Sequence, residues 1–250
     1  MKRIIRDFIK KLVPTKIQRV FVEDAVQQVH QRYQKQLEYG NIFYSQEGED
    51  IILQGIFTNQ QRGFFIDIGA HHPVRFSNTY MFYKMGWRGI NIDAMPGSMD
   101  CFSTIRPEDN NLEIPISEKP QTLIYYMFDE PCLNSFSKKL TDERIQNTPY
   151  KLINQIELKT QRLEQVLDIY LPPFKEIDFI SVDVEGLDLE VLQSNNWEKY
   201  NPKIILVETS NQVMHKDNND PIHCFLGSKG YNLIARTLRT SFYQRSNLLL

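Results

Sequence analysis

The chain has 250 residues, a net charge of −2, 41% hydrophobic residues and three scattered cysteines. That length suits one domain with or without an appendage, and the near-neutral charge gives no basic field for nucleic acid, which is excluded as a partner class. An odd cysteine count without a C-x-x-C pair excludes a disulfide frame and a cysteine zinc site and fits reduced thiols in a cytoplasmic setting, while no apolar run approaches the roughly 20 residues of a membrane span.

In chain order, Met1–Val13 reads MKRIIRDFIKKLV, with Ile4, Ile5, Phe8, Ile9 and Leu12 on one helical face and the basic residues mostly elsewhere. Such a helix can contact an anionic membrane surface; packing on its own domain or on a second copy in a homo-oligomer is the plainer reading. After Pro14, Thr15 caps a second helix that Gly40 ends. Residues 1–40 are therefore expected as a helical appendage, with residues 41–250 as the main domain. The segment YSQEGEDIIL, Tyr44–Leu53, predicts a helix with Glu47, Glu49 and Asp50 in its first turn, where acids suit the dipole. Because it feeds the first core strand, Tyr44, Ser45 and Gln46 are expected over the mouth of any site there.

From Gly63 to Asp93 the chain predicts a βαβ unit. The apolar run Phe64–Ile66, followed by Asp67 and Ile68-Gly69-Ala70, reads as the first strand, Val74–Met85 as the helix, and Gly89–Ile92, ending on Asp93, as the second strand. A short helix over Ser98–Arg106 and strands over Asn111–Ile116 and Thr122–Phe128 follow. The polar stretch Asp129–Tyr150 is long enough to be functional, and Asn134 and Ser135 are its candidate substrate contacts. Ile156–Thr160 alternates like a strand and Arg162–Tyr170 has helical spacing. A buried strand from Ile177 ends in Asp183-Val184-Glu185-Gly186, helix Leu187–Ser194 follows, and Lys203–Glu208 is one more strand ending on an acid. The tail gives a helix over Ile222–Lys229 and an antiparallel hairpin, Tyr231–Ala235 with Thr240–Gln244.

The fold class is α/β: a mostly parallel, seven-stranded Rossmann-like sheet closed by a C-terminal antiparallel hairpin, plus the N-terminal helices. In such sheets ligands bind beyond the carboxyl ends of the strands. That rim collects Asp67, Asp93, Asp183 with Glu185, and Glu208, a concentration of like charge that needs a cation or a shared proton. Asp93 stands where a ribose-binding acid is expected. The first loop holds one glycine, Gly69, followed by Ala70-His71-His72-Pro73, so the G-x-G-x-x-G cradle for a pyrophosphate is missing. A nucleoside ligand with a cation and no phosphate fits better, which favours S-adenosylmethionine over NAD. Expected cofactor contacts are Asp67, Gly69, Ala70 and His72 in the first loop, Asn78 after it, and Asp93 with Ala94 at the second strand. Gln46 and Ser117 flank them. Asp183 and Glu185 are the expected base or, if a divalent metal is used, its ligands; Glu208 is placed with the substrate. One of His71 and His72 is expected in the site and the other facing solvent.

The segments YSQEGEDIIL, FFIDIGAHHPVRFSNTYMFYKMGWRGINIDAMPGSM, FISVDVEGLDLEVLQSNNW and IILVE, in that order, resemble the FkbM-type S-adenosylmethionine-dependent methyltransferases over about Tyr44–Tyr243. The resemblance implies a class I methyltransferase fold and O-methylation of a sugar in a surface polysaccharide or of a polyketide-like secondary metabolite. It carries the cofactor loop onto Asp67, Gly69 and Ala70, the ribose acid onto Asp93, and the D-x-E-G element near the reacting centre onto Asp183 and Glu185. His71-His72-Pro73 departs from the broader family's Asn-x-Gly loop. Two rivals stand beside this reading. Nucleotide-sugar glycosyl transfer would use Asp183-Val184-Glu185 as a metal pair, and a non-catalytic scaffold would keep only the fold.

Overall fold

The run Phe64–Ile68 lies at the middle of the main sheet in a computed structural model, which describes residues 28, 40–209 and 220–246. The helices expected over residues 1–40 fall outside the described residues apart from positions 28 and 40. The strands are β1 (Phe64–Ile68), β2 (Arg88–Asp93), β3 (Asn110–Glu113), β4 (Thr122–Phe128), β5 (Leu152–Lys159), β6 (Phe179–Val182), β7 (Ile204–Glu208), β8 (Tyr231–Arg236) and β9 (Thr240–Arg245). The helices are α1 (Glu49–Ile56), α2 (Tyr80–Lys84), α3 (Ser98–Ile105), α4 (Lys138–Asn147), α5 (Leu163–Tyr170), α6 (Asp188–Gln193) and α7 (Pro221–Ser228). No helix among the described residues is long and apolar enough to cross a membrane.

Seven strands form one sheet in the order β3-β2-β1-β6-β7-β9-β8. The first five are parallel and β9 is antiparallel to both β7 and β8. This is the expected Rossmann-like sheet with its terminal hairpin. Every residue of β1 is buried, because both faces are covered. Phe64, Ile66 and Ile68 point into one core with Ile90, Ile92 and Leu167. Phe65 joins the other with Phe82, Trp87, Phe179 and Leu206. By the two-residue period of a strand, Asp67 shares the Phe65 face.

Three local departures have physical causes. The helix expected over Val74–Met85 shrinks to α2, because Phe76 takes φ 58° and the Ser77 hydroxyl accepts the Thr79 and Tyr80 amides. Those bonds replace a first helical turn with a loop. β3 stops at Glu113, three residues early: the Ile114 amide still donates to the Asp93 carbonyl at 2.9 Å, but Pro115 after it has no N–H to carry the ladder on. Finally, β4 and β5 form an antiparallel ribbon apart from the main sheet, with Ser135 bridged to Tyr126 on the other edge of β4.

Candidate functional site

The strand order reverses between β1 and β6, and a cleft of about 1000 Å³, open solvent at its mouth included, lies beyond their carboxyl ends. The glycine after β1 makes the cleft possible. Gly69 has φ 81°, and a Cβ there would fall 1.7 Å from the Asp183 carbonyl oxygen. The loops after β1 and β2 are tied around one carboxylate: Asp93 Oδ2 accepts from the His71 amide at 2.9 Å and Oδ1 from the Met95 amide at 2.8 Å. Burial raises the pKa of Asp93, and these amides act against that rise.

Asp67 lies 5% exposed on the cleft wall. Its Oδ2 accepts from the Thr79 hydroxyl at 2.8 Å, and the Ser181 hydroxyl is close to it. Asn78 Nδ2 donates to Ser181 Oγ at 3.0 Å, so Asn78 reaches Asp67 through a second hydroxyl. Burial pushes the Asp67 pKa up, while Thr79 and the Arg106 guanidinium draw it down. Gln46 reaches the cleft because the Asp50 carboxylate accepts the Tyr44 amide at 2.7 Å and the Ser45 hydroxyl at 2.8 Å, which folds that segment over α1.

Carboxyls concentrate at the ends of β6 and β7. Asp183, Asp188 and Glu208 each bring a ligand oxygen within 4.8 Å of the others. Asp188 caps the turn before α6, accepting from the Val184 amide at 3.0 Å and the Gly186 amide at 3.2 Å. Three carboxyls this close repel one another unless one of them keeps a proton or a hard divalent cation joins them. Asp183 Oδ1 is buried with no hydrogen-bond partner among the described residues. Burial, then the charges of Glu208, Glu185 and Asp188, push Asp183 well above the ordinary aspartate range. Burial pushes Asp188 up to about 6 and, with Glu185 and Asp188 nearby, Glu208 up to about 8. Glu185, at φ 56°, is ion-paired with Arg144 of α4, which offsets part of its own upward shift.

A pH dependence of stability follows. The folded Glu208 holds its proton more firmly than the unfolded chain does. Its contribution is therefore fully present below about pH 4.5, its ordinary value, and is lost as pH rises through about 8. Glu208→Gln is expected to unfold at higher denaturant concentration than wild type above that range, with the gain vanishing in acid. A difference between the two proteins that stays constant with pH in urea titrations would contradict this.

Most expected cofactor contacts line the cleft: Asp67, Gly69, Ala70, Asn78, Asp93, Ala94 and Gln46. So do Asp183, Glu185 and Asn134. Four do not. His72 Nδ1 accepts the Val74 and Arg75 amides at 3.1 and 2.9 Å and so braces the loop, and it is His71 that faces the cleft. Ser117 is buried against the Thr160 hydroxyl at 2.7 Å. Ser135 donates to the Glu185 carbonyl at 2.6 Å, fixing the loop behind it. Glu208 joins Asp183 and Asp188 away from the cleft lining, so the three-carboxyl group contains Asp183 but not Glu185. Tyr44 and Ser45 also stay off the lining; the Tyr44 ring packs edge-on against Tyr80 at 4.8 Å. Sequence reasoning missed Phe76, Tyr125 and Phe136, which add aromatic surface to the lining. It also missed Arg144; a helical arginine facing the D-x-E-G turn leaves no sequence signal. His71 Nε2 is enclosed with no partner among the described residues, and burial, then Arg75, lowers its pKa, which favours the neutral ring.

A family model described as the methyltransferase FkbM domain matches residues 67–233. No curated protein matches the sequence. Among solved structures, the chain is similar to a TehB-like SAM-dependent methyltransferase from Corynebacterium glutamicum at 10% identity and a TM-score of 0.39. That alignment covers 89% of this chain and 99% of the other.

Proposed function

The chain belongs to the FkbM methyltransferase family, and from that premise we propose that it moves a methyl group from S-adenosylmethionine to a hydroxyl oxygen of a sugar or polyketide-like acceptor. The observation that carries the oxygen assignment is Asp183: a cleft-lining carboxyl with a raised proton affinity, one of whose oxygens is enclosed with no hydrogen-bond partner among the described residues. An alcohol is a weak nucleophile until a base takes its proton, and a carboxyl whose proton affinity is raised is a stronger base than an ordinary aspartate.

The residues present fit the cofactor. Asp93 would take the ribose hydroxyls, using acceptor capacity its two amide bonds leave over. Ile114, Ile116 and Met95 offer an apolar slot for adenine, and Asp67 an anion for the cationic end. Bound there, S-adenosylmethionine supplies an electrophilic methyl group on a sulfonium. The chain's own contribution is then to orient the acceptor against Tyr125, Phe136 and Asn134, to exclude water, and to receive the hydroxyl proton at Asp183 Oδ1. Glu185, bound to Arg144, is better suited to shaping that wall than to taking the proton.

Two titrations test the reading. S-adenosylhomocysteine is expected to bind in calorimetry and nucleotide sugars are not; the reverse result would favour glycosyl transfer. Asp93→Asn turns one of two oxygens, each already taken by a backbone amide, into a donor that faces that amide, and is expected to weaken S-adenosylhomocysteine by about 1.5–3 kcal/mol, roughly one to two powers of ten. Wild-type affinity in that variant would remove Asp93 from the ribose.

A further inference from the structure

Behind the cleft, on the face of the sheet that Asp67 shares with Phe65, lies a buried arginine that none of the roles above uses. Arg106 follows α3 and is fully buried. Its guanidinium is framed by the rings of Phe65, Tyr83 and Phe102, with centroids 5.2, 5.2 and 5.6 Å away. Nε donates to Asp109 Oδ2 at 2.9 Å, and Asp109 is itself held by the Gly89 amide at 2.9 Å and Asn91 Nδ2 at 3.2 Å. On its other side, Nη1 donates to Thr79 Oγ1 at 3.0 Å, and Thr79 Oγ1 lies 2.8 Å from Asp67 Oδ2. Thr79 is also fully buried.

The direction of every bond in this chain is set by the donor inventory. A guanidinium only donates, so it takes a lone pair of the Thr79 oxygen. An ionised carboxylate only accepts, so the single Thr79 proton is directed to Asp67. Ser77 Oγ, 3.2 Å from Thr79 Oγ1, completes the surroundings of that oxygen. We infer that Arg106 is a positioning residue for the cationic cofactor: by fixing Thr79 as a donor, it keeps Asp67 ionised and held at the cleft wall. Charge counting agrees. One buried guanidinium serves two buried carboxylates, Asp109 directly and Asp67 through a hydroxyl, so this buried group carries one negative charge in excess, on the side where Asp67 meets the cleft. The charged groups that face Asp67 are Arg106 from the end of α3, Asp93 from β2 and Asp183 from the end of β6. Among these described groups the first alone favours its ionised form. The inference rests on the S-adenosylmethionine reading for the identity of the cation, but the relay itself can be measured without it.

Thr79→Val keeps the shape of the buried side chain and removes the hydroxyl; Thr79→Ser restores the hydroxyl. Calorimetry with S-adenosylmethionine and with uncharged adenosine separates the two halves of the ligand. Thr79→Val is expected to weaken S-adenosylmethionine about tenfold, to leave adenosine unchanged, and to move the loss of binding on acidification about one pH unit upward. Thr79→Ser should behave as wild type. Unchanged S-adenosylmethionine affinity and acid limb in Thr79→Val would overturn the inference, as would a Thr79→Ser protein as impaired as Thr79→Val. If wild type binds neither ligand, the proposed function fails, and carbon-detected NMR of the Asp67 carboxyl in the ligand-free proteins still reads the relay. A titration midpoint higher in Thr79→Val than in wild type supports it, and an equal midpoint overturns it.

Discussion

Asp183→Asn is expected to lower methyl transfer by about 10²–10⁴-fold while affinity for S-adenosylhomocysteine stays close to wild type. The substitution keeps the shape of a side chain at the cleft wall and removes its capacity to accept a proton. It also removes a charge from a crowded place. Asp183 faces Glu208, Glu185, Asp188 and Asp67, so the variant should unfold at a higher temperature than wild type above neutral pH. Loss of activity together with gain of stability is the signature of a group kept for chemistry at a structural cost, and it separates a missing base from a damaged fold. Incorporation of tritiated methyl groups into glycan extracts reads the activity, and thermal unfolding reads the stability. Glu185→Gln should lose less, since Arg144 already engages that carboxylate. Near-full turnover in Asp183→Asn would move the proton acceptor elsewhere, and the enclosed His71 ring on the same wall would be the next group to test.

The parts of this site that could be read from sequence are those whose environment follows from position in a repeating element. Phe64–Ile68 and Phe179–Val182 are short apolar runs, and a strand buried on both faces has no other appearance. Once those strands were in place, Asp67, Asp93 and Asp183 had to meet at one rim, because parallel strands end together. What stayed hidden depends on partners far away in the chain. Thr122–Phe128 reads as a strand, but its residues do not say that it leaves the main sheet to pair with Leu152–Lys159. Asp188 looks like an ordinary first-turn acid, yet it is the third carboxyl of the group with Asp183 and Glu208. Glu49 looks like an acid suited to a helix dipole, yet it is buried and accepts from the Thr237 hydroxyl at 3.3 Å, in the turn between β8 and β9. Arg106 looks like a solvated helix end until the three rings and Asp109 close around it. In each case the side chain's local sequence favours exposure, and only the tertiary contact buries it.

Gly69→Ala and Gly97→Ala form a matched pair whose difference measures how tightly the cleft floor is built. Both glycines have positive φ, 81° and 80°, so both alanines carry the same penalty for a left-handed backbone, about 1 kcal/mol. Around Gly97 nothing lies within 4 Å of the added Cβ, and that variant is expected to lose only this amount. At Gly69 the Cβ would meet the Asp183 carbonyl oxygen at 1.7 Å and its carbon at 2.6 Å. Backbone cannot rotate out of the way as a side chain would. Relief requires the ends of β1 and β6 to separate, against the bond from the Asp183 amide to the Ile68 carbonyl at 2.9 Å and that from the Gly69 amide to the Ile92 carbonyl at 2.9 Å. A total loss of about 3–5 kcal/mol is expected, with S-adenosylhomocysteine binding abolished, while Gly97→Ala keeps its affinity. Urea unfolding of the two variants, paired with calorimetry, gives both quantities. Equal losses would mean that the loop after β1 swings freely away from β6, and Asp67 and Asp183 would then face each other across a movable gap instead of a fixed one.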